Sequence, residues 1–290
     1  MFNENPHLIQ ERPSGCPWVK IAPLVLIHDG GGTTFSYYCL GNLKRDVYGI
    51  SNPYYSTNKV WRGGIPEMAR TYVRYIKSVI PRGEIILGGW SLGGLISLEV
   101  TRILAEDPAL RIIGMIMVDS ICPLLLSPSS IRLAQHVAGM FTVYSGPAPE
   151  SEFEFEFNHR MVGEWTMPTW GDEAPVKDSS ETESDSSDTF PKRNSLRPSS
   201  VRVYTPPPVI LLRAAKAVPV LEEGVSRVDV HRTKELLGWD QYRKDLITKV
   251  IELPDVHHYD IFVSEEALAR ATAKINEACL DIESSASVFQ

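Results

Sequence analysis

A serine becomes a useful nucleophile only when its hydroxyl is lifted clear of the backbone and set beside a base. The stretch Gly89-Trp90-Ser91-Leu92-Gly93 has the composition to do this. It follows the apolar run Ile85-Ile86-Leu87 and leads into the helix-like run Leu95 to Leu104, so a strand, a sharp turn and a helix are expected in that order. Glycines at 89 and 93 remove the side chains that would collide in such a turn. The same pattern in an ordinary glycine-rich loop would lack the flanking strand and helix. Ser91 is therefore the candidate nucleophile of a nucleophile elbow.

Acyl-transfer chemistry also needs donors for a tetrahedral oxyanion. The buried-strand pattern Leu24-Val25-Leu26-Ile27 empties into His28-Asp29-Gly30-Gly31-Gly32-Thr33-Thr34, whose glycines let backbone N–H groups approach a ligand. A phosphate loop would need a Gly-Lys-Ser/Thr ending or a Gly-x-Gly-x-x-Gly spacing, and this loop has neither. The candidate oxyanion donors are the N–H groups of Leu92, directly after the nucleophile, and Gly30.

An acid and a base must follow. Arg111 to Val118 reads as a central parallel strand with Asp119 at its carboxyl end, where open α/β sheets bind ligands. Asp119 could also be a turn or capping aspartate. The next strand pattern, Val209-Ile210-Leu211-Leu212, has no carboxylate before Glu222, which favours Asp119 as the orienting acid. The pattern Val250-Ile251-Glu252-Leu253 leads into the adjacent pair His257-His258, of which one can reach Ser91 because neighbouring side chains in extended chain diverge. His28 borders the oxyanion loop and shapes it. His7, His136, His159 and His231 read as ordinary surface histidines.

These residues together resemble an α/β-hydrolase thioesterase of the kind that ends polyketide and non-ribosomal peptide assembly lines, in particular the fungal polyketide subgroup. The resemblance rests on His28 to Tyr38, Gly88-Gly89-Trp90-Ser91-Leu92-Gly93-Gly94, Val118-Asp119-Ser120, Leu237-Gly238-Trp239-Asp240 and His258-Tyr259-Asp260-Ile261-Phe262. It implies a catalytic set of Ser91, Asp119 and His258, with the family's His-aromatic register favouring 258 over 257. It also implies no cofactor: the substrate would be an acyl chain on the phosphopantetheine arm of an acyl carrier protein of a polyketide synthase or related megasynthase. Release would proceed through an acyl-serine, by hydrolysis or cyclisation, in secondary metabolism. A carboxylesterase or a Claisen-type cyclase would use the same triad, and a hydrolase-like binding module would be expected to lack a triad member. Ser97 departs from the family's usual alanine.

The elements around these residues alternate. Strand patterns at 24–28, 48–51, 84–88, 111–118, 208–212 and 248–253 are separated by helix-like runs, which predicts a mainly parallel sheet with helices on both faces; the resemblance implies that this is an α/β-hydrolase fold with a lid insertion. Ala69, Tyr72, Val73, Ile76, Val79 and Ile80 give one apolar helical face, and Ser264-Glu265-Glu266-Ala267 opens a final helix with a serine cap. One domain, 1–290, is expected, with a lid insertion at 124–207.

The formal charge is −7, but residues 150–190 carry twelve acidic and two basic side chains, so the remainder is near +3. The net acidity argues against nucleic acid, and the acidity is local. Within the lid an acidic segment, 171–200, is expected to be disordered, and Phe153, Phe155 and Phe157 are the candidate substrate-binding residues. Met140, Phe141, Met161 and Trp165 would close over an acyl chain with them or pack the lid instead. The N-terminal stretch has no apolar signal core and no segment reads as a membrane span, so a free-standing cytoplasmic protein is expected. The four cysteines, Cys16, Cys39, Cys122 and Cys279, have no metal-ligand spacing, and no metal is expected.

Overall fold

A computed structural model describes residues 5–13, 21–55, 57, 59–124, 161–171, 204–220 and 224–288. Phe153, Phe155, Phe157, Met140 and Phe141 lie outside the described residues, as does residue range 172–200 of the acidic segment. The strands are β1 (His7–Gln10), β2 (Leu24–Ile27), β3 (Val47–Ile50), β4 (Gly83–Trp90), β5 (Leu110–Val118), β6 (Val209–Ala214) and β7 (Ile247–Leu253). The helices used below are α1 (Phe35–Tyr38), α2 (Gly64–Val79), α3 (Leu92–Leu104) and α4 (Glu265–Val288).

The strands form a seven-stranded sheet of order β1-β3-β2-β4-β5-β6-β7, with β1 antiparallel to β3 and every other pairing parallel. All six strands expected from apolar runs are present. The seventh, β1, was not anticipated: four residues with only Leu8 and Ile9 apolar give no periodic signal, and it forms by pairing along the edge of β3.

Alternation along the central strands divides the core into two layers. Val25, Ile27, Ile85, Leu87, Met115, Met117, Val209 and Leu211 face α2 and α3. Leu24, Leu26, Ile86, Ile116, Val118, Ile210 and Leu212 face α4 and the Tyr37 turn. Such runs of apolar residues are what a parallel strand covered on both faces requires. Helix α2 buries Ile65, Met68, Ala69, Tyr72 and Ile76. Val79, expected on that face, is instead exposed, while its neighbour Ile80 is buried in the core layer. Ser264 caps α4 through its Oγ, which accepts the N–H of Ala267 at 3.1 Å.

Two contacts seat α4. Buried Arg45 ties the end of the helix to the start of β2, donating to Glu283 Oε1 at 2.8 Å and to the Ala22 carbonyl at 3.0 Å. On β5, Gly114 leaves the space that Ile282 fills: a Cβ there would stand 2.5 Å from Ile282 Cγ2. Gly114→Ala should therefore lower stability by about 1–3 kcal/mol through overpacking. The measurement is a urea midpoint at unchanged m-value, with kcat of the folded protein unaltered. A midpoint equal to wild type would show that Ile282 can yield without cost.

Candidate active site

The candidate residues follow β2, β4, β5 and β7 at the carboxyl edge of the sheet, with β6 between the last two. β4 ends at Trp90 and α3 begins at Leu92, so Ser91 alone makes the turn, with φ 54° and ψ −116°. A serine at positive φ carries strain of about 1–3 kcal/mol, and here the surroundings enforce it. Its N–H donates to the Val118 carbonyl at 2.9 Å, tying the turn to β5. A Cβ at Gly93 would stand 2.3 Å from the Ile27 carbonyl oxygen, and one at Gly89 would stand 2.6 Å from the Gly93 carbonyl carbon. No other residue fits either place without moving backbone. Buried Ser97 donates to the Gly93 carbonyl at 2.7 Å and so braces the first turn of α3.

The loop after β2 is braced from below. His28 Nδ1 donates to the Asp29 carbonyl at 2.6 Å; because burial keeps the ring neutral, its Nε2 is the acceptor of the Tyr72 hydroxyl at 2.6 Å. The Asn52 N–H reaches the Gly32 carbonyl at 2.8 Å, and Gly32 takes φ 77°. A Cβ on Gly30 would meet nothing within 4 Å, so the loop is open at the position assigned to the oxyanion donor. Tyr37 joins this loop to the elbow: its hydroxyl donates to the Ile27 carbonyl at 2.7 Å and accepts the Trp90 N–H at 2.9 Å. One phenol thus spaces the strand before the loop from the strand before the serine.

Asp119 follows β5, also at positive φ (47°), and is fully buried. Its Oδ2 receives His258 Nδ1 at 2.7 Å, and its Oδ1 receives the Ala214 N–H at 2.9 Å. Burial alone would raise this carboxyl's pKa. Hydrogen bonds and charge from Arg232 and His258 outweigh it and bring the value down to about 2. His258 is 2% exposed, with Trp90 at 5.5 Å and Tyr259 edge-on at 4.8 Å between ring centroids. His257 is engaged elsewhere, its Nε2 lying 2.9 Å from Asp260 Oδ2 and its Nδ1 accepting the Tyr259 N–H at 3.2 Å. The acid and the favoured histidine are thus joined directly.

Two features escaped sequence reading. Arg232, in the segment between β6 and β7, binds Asp119 through two nitrogens at 2.6 and 2.7 Å, and no motif announces it. His231, expected at the surface, is buried, with Nε2 3.3 Å from the Leu124 carbonyl and the ring filling the space beside Gly238. Its polar neighbours in sequence concealed this, since the segment packs inward through Leu237 and Trp239. Met161 and Trp165 belong to the core layer against α2 and α3, where Trp165 Nε1 donates to Glu99 Oε2 at 3.2 Å. Among the described residues, no group of three or more His, Cys, Asp or Glu could hold a metal ion. Among them no helix is long and apolar enough to cross a membrane.

The family model described as Thioesterase domain matches residues 22–158. The probable thioesterase gloN of Glarea lozoyensis is 34% identical over 96% of this chain and 98% of its own length. The nonribosomal peptide synthetase imqB of Aspergillus flavus is 34% identical over 96% of this chain and 8% of its own. Among solved structures, the NocB thioesterase domain in covalent complex with a fluorophosphonate nocardicin G analog superposes with a TM-score of 0.61. It covers 90% of this chain and 95% of that one at 19% identity, a likeness of fold.

The glycine-rich loop after β2 carries two titrations of opposite sign. Burial lowers His28 from 6.5 to about 4, with the Asp29 carbonyl opposing. The unfolded chain therefore takes up a proton that the native ring refuses, and stability falls as pH drops from 6.5 to about 4. Burial raises Asp29 from 3.8 to about 6, against the Gly31 N–H and the charge of His258. Here the native state protonates first, so stability rises as pH falls across that window. The two nearly cancel in the wild-type protein. Asp29→Asn should leave His28 uncompensated and steepen the loss of stability between pH 6 and pH 4, by up to about 1.4 kcal/mol per pH unit. Urea unfolding at the two pH values measures this, and a slope equal to wild type would contradict the opposed pair.

Proposed function

The chain belongs to the thioesterase family, and on that premise we propose that it releases an acyl or polyketide chain from a carrier-protein thioester through an acyl-serine on Ser91. The observation that carries this reading is the 2.7 Å link from His258 Nδ1 to a buried, ionised Asp119, one strand away from a serine at an elbow.

Each of these residues has one role in the proposed route. Ser91 Oγ attacks the thioester carbonyl carbon while His258 Nε2 takes the hydroxyl proton. Nδ1–H keeps its hydrogen bond to Asp119, which orients the ring and stabilises the imidazolium. The negative charge that develops on the carbonyl oxygen is received by the N–H groups of Leu92 and Gly30, the first of which also stands at the positive end of α3. Collapse breaks the carbon–sulfur bond, the imidazolium returns its proton to the departing pantetheine thiolate, and the acyl group remains on Ser91. Water delivered through the same base gives the acid. An internal hydroxyl gives a lactone, and an internal carbon nucleophile gives Claisen-type closure.

The alignment with a short stretch of a much larger peptide synthetase supports a carrier protein of a megasynthase as the partner that presents the substrate. Phe153, Phe155 and Phe157 remain proposed contacts for the acyl chain within the lid at 124–207. No cofactor enters any step.

The histidine pair supplies the test. With a carrier-bound acyl thioester, Ser91→Ala and His258→Ala should each lower kcat by several orders of magnitude, leaving roughly 10³-fold acceleration over water from the oxyanion donors and binding. His257→Ala should cost less than about tenfold. An exchange of phenotypes between the two histidine variants would make His257 the base, and near-normal turnover by the serine variant would remove the acyl-serine route. Turnover confined to small oxygen esters would favour a carboxylesterase.

A further inference from the structure

Sheet order sets a problem that the triad by itself does not solve. The acid follows β5 and the base follows β7, so the carboxyl end of β6 stands between them. Ala214, the last residue of β6, spends both backbone groups on the crossing: its N–H goes to Asp119 Oδ1 at 2.9 Å and its carbonyl accepts from Arg232 Nη1 at 2.8 Å. The guanidinium then meets the carboxylate edge to edge, Nη1 to Oδ1 at 2.6 Å and Nη2 to Oδ2 at 2.7 Å. Its other donations fix it from behind, Nε to Asp229 Oδ1 at 2.8 Å and Nη2 to the Val228 carbonyl at 3.2 Å. Asp229 is itself held by the Val218 N–H at 2.6 Å.

We propose that Arg232 is a positioning residue of this site, whose planar fork fixes the Asp119 carboxylate in the orientation that presents Oδ2 to the Nδ1–H of His258. The proposal rests on Ser91, Asp119 and His258 being the reacting set. A carboxylate this deeply buried has no water to orient or ionise it, and burial is the largest influence on it. Among the described residues Arg232 is the cation that touches it. An ammonium could supply the charge but not two parallel donors, so Arg and Lys separate ionisation from orientation. The cation also takes up part of the negative charge that would otherwise face the imidazolium. The arrangement therefore favours fixed geometry over maximal attraction.

Other charged or titratable groups around the pair are Asp229 behind Arg232, Tyr259 against the His258 ring, Arg227 beside Tyr259, and Asp29 across the oxyanion loop. Asp229 touches Arg232 directly and loses its ion-pair partner in Arg232→Gln, so the pH profile of Asp229→Asn is compared alongside to separate its titration from that of Asp119.

The full chain is assayed with a carrier-bound acyl thioester and, separately, with a fluorophosphonate that reacts with Ser91. Arg232→Gln should lower kcat about 100-fold, the scale for a misplacement near 1 Å, with KM little changed and Ser91 labelling slowed in parallel. Its loss should be greatest at acid pH and shrink as pH rises, because the unsupported carboxyl must be ionised by solution pH. Arg232→Lys should keep the wild-type pH profile at a reduced kcat, and the low-field proton resonance of His258 Nδ1–H should persist in Lys and vanish in Gln. Wild-type kcat and profile in Arg232→Gln would overturn the proposal. So would a loss equal at every pH and no smaller in the lysine variant, which would mark a merely structural residue. If the glutamine variant does not fold, Arg232→Lys and Asp229→Asn decide: severalfold loss of kcat at constant KM supports the fork, and wild-type kcat in both overturns it. Failure of the site assignment has a separate signature, turnover and labelling that survive Ser91→Ala.

Discussion

The site depends on one buried carboxylate. Asp119 lies at zero exposure, and moving an isolated carboxylate into such a place costs several kcal/mol unless its lone pairs are filled. Here four donors fill them: two from Arg232, one from Ala214 and one from His258. Because the last of these is the histidine, the contact that helps solvate the carboxylate also orients the imidazole ring. The burial that makes the carboxylate expensive also excludes the water that would compete for Nδ1–H, so the hydrogen bond is fixed in direction as well as length.

The parallel sheet exists in a form that makes this contact available. Successive strands end at the same edge, and two of those ends, Ser91 and Asp119, turn through positive φ, which aspartate tolerates better than serine. Strain at one such position is tolerable because the Ser91 N–H is held by Val118, the residue before Asp119, while the Asp119 N–H is held by Leu212 on β6. Each turn is pinned by the neighbouring strand, so the relative positions of serine and acid are set by ladder geometry. Tyr37 does the same on the other side, where a single hydroxyl spaces the glycine-rich loop from the elbow.

How much of this was legible follows from the range of each interaction. The elbow, the glycine loop and the ends of β5 and β7 were readable because each is a local pattern: apolar run, tight turn, reactive residue. The pairing of Asp119 with His258 spans 139 residues and was approached only through the family's register at Tyr259-Asp260-Ile261-Phe262. Arg232 was invisible because its role depends on a contact 113 residues away, in a segment whose turns and 3₁₀ helices carry no periodicity. His231 was misjudged for the same reason, and β1 was missed because an edge strand forms through its partner rather than its own pattern. The family to which the chain belongs was legible from the same local patterns, because they are where chemistry constrains the residues most tightly.

Everything proposed here converges on a covalent acyl group at one oxygen atom. Intact-mass measurement followed by peptide mapping, after brief incubation with acyl-carrier thioesters of increasing chain length, reads it directly. The expected result is a mass increase equal to the acyl group, mapped to the peptide containing Ser91, with the preferred chain giving the highest occupancy. Turnover of the same thioesters with no adduct on Ser91, or with the acyl group on another residue such as Cys122, would contradict the nucleophile and with it the mechanism.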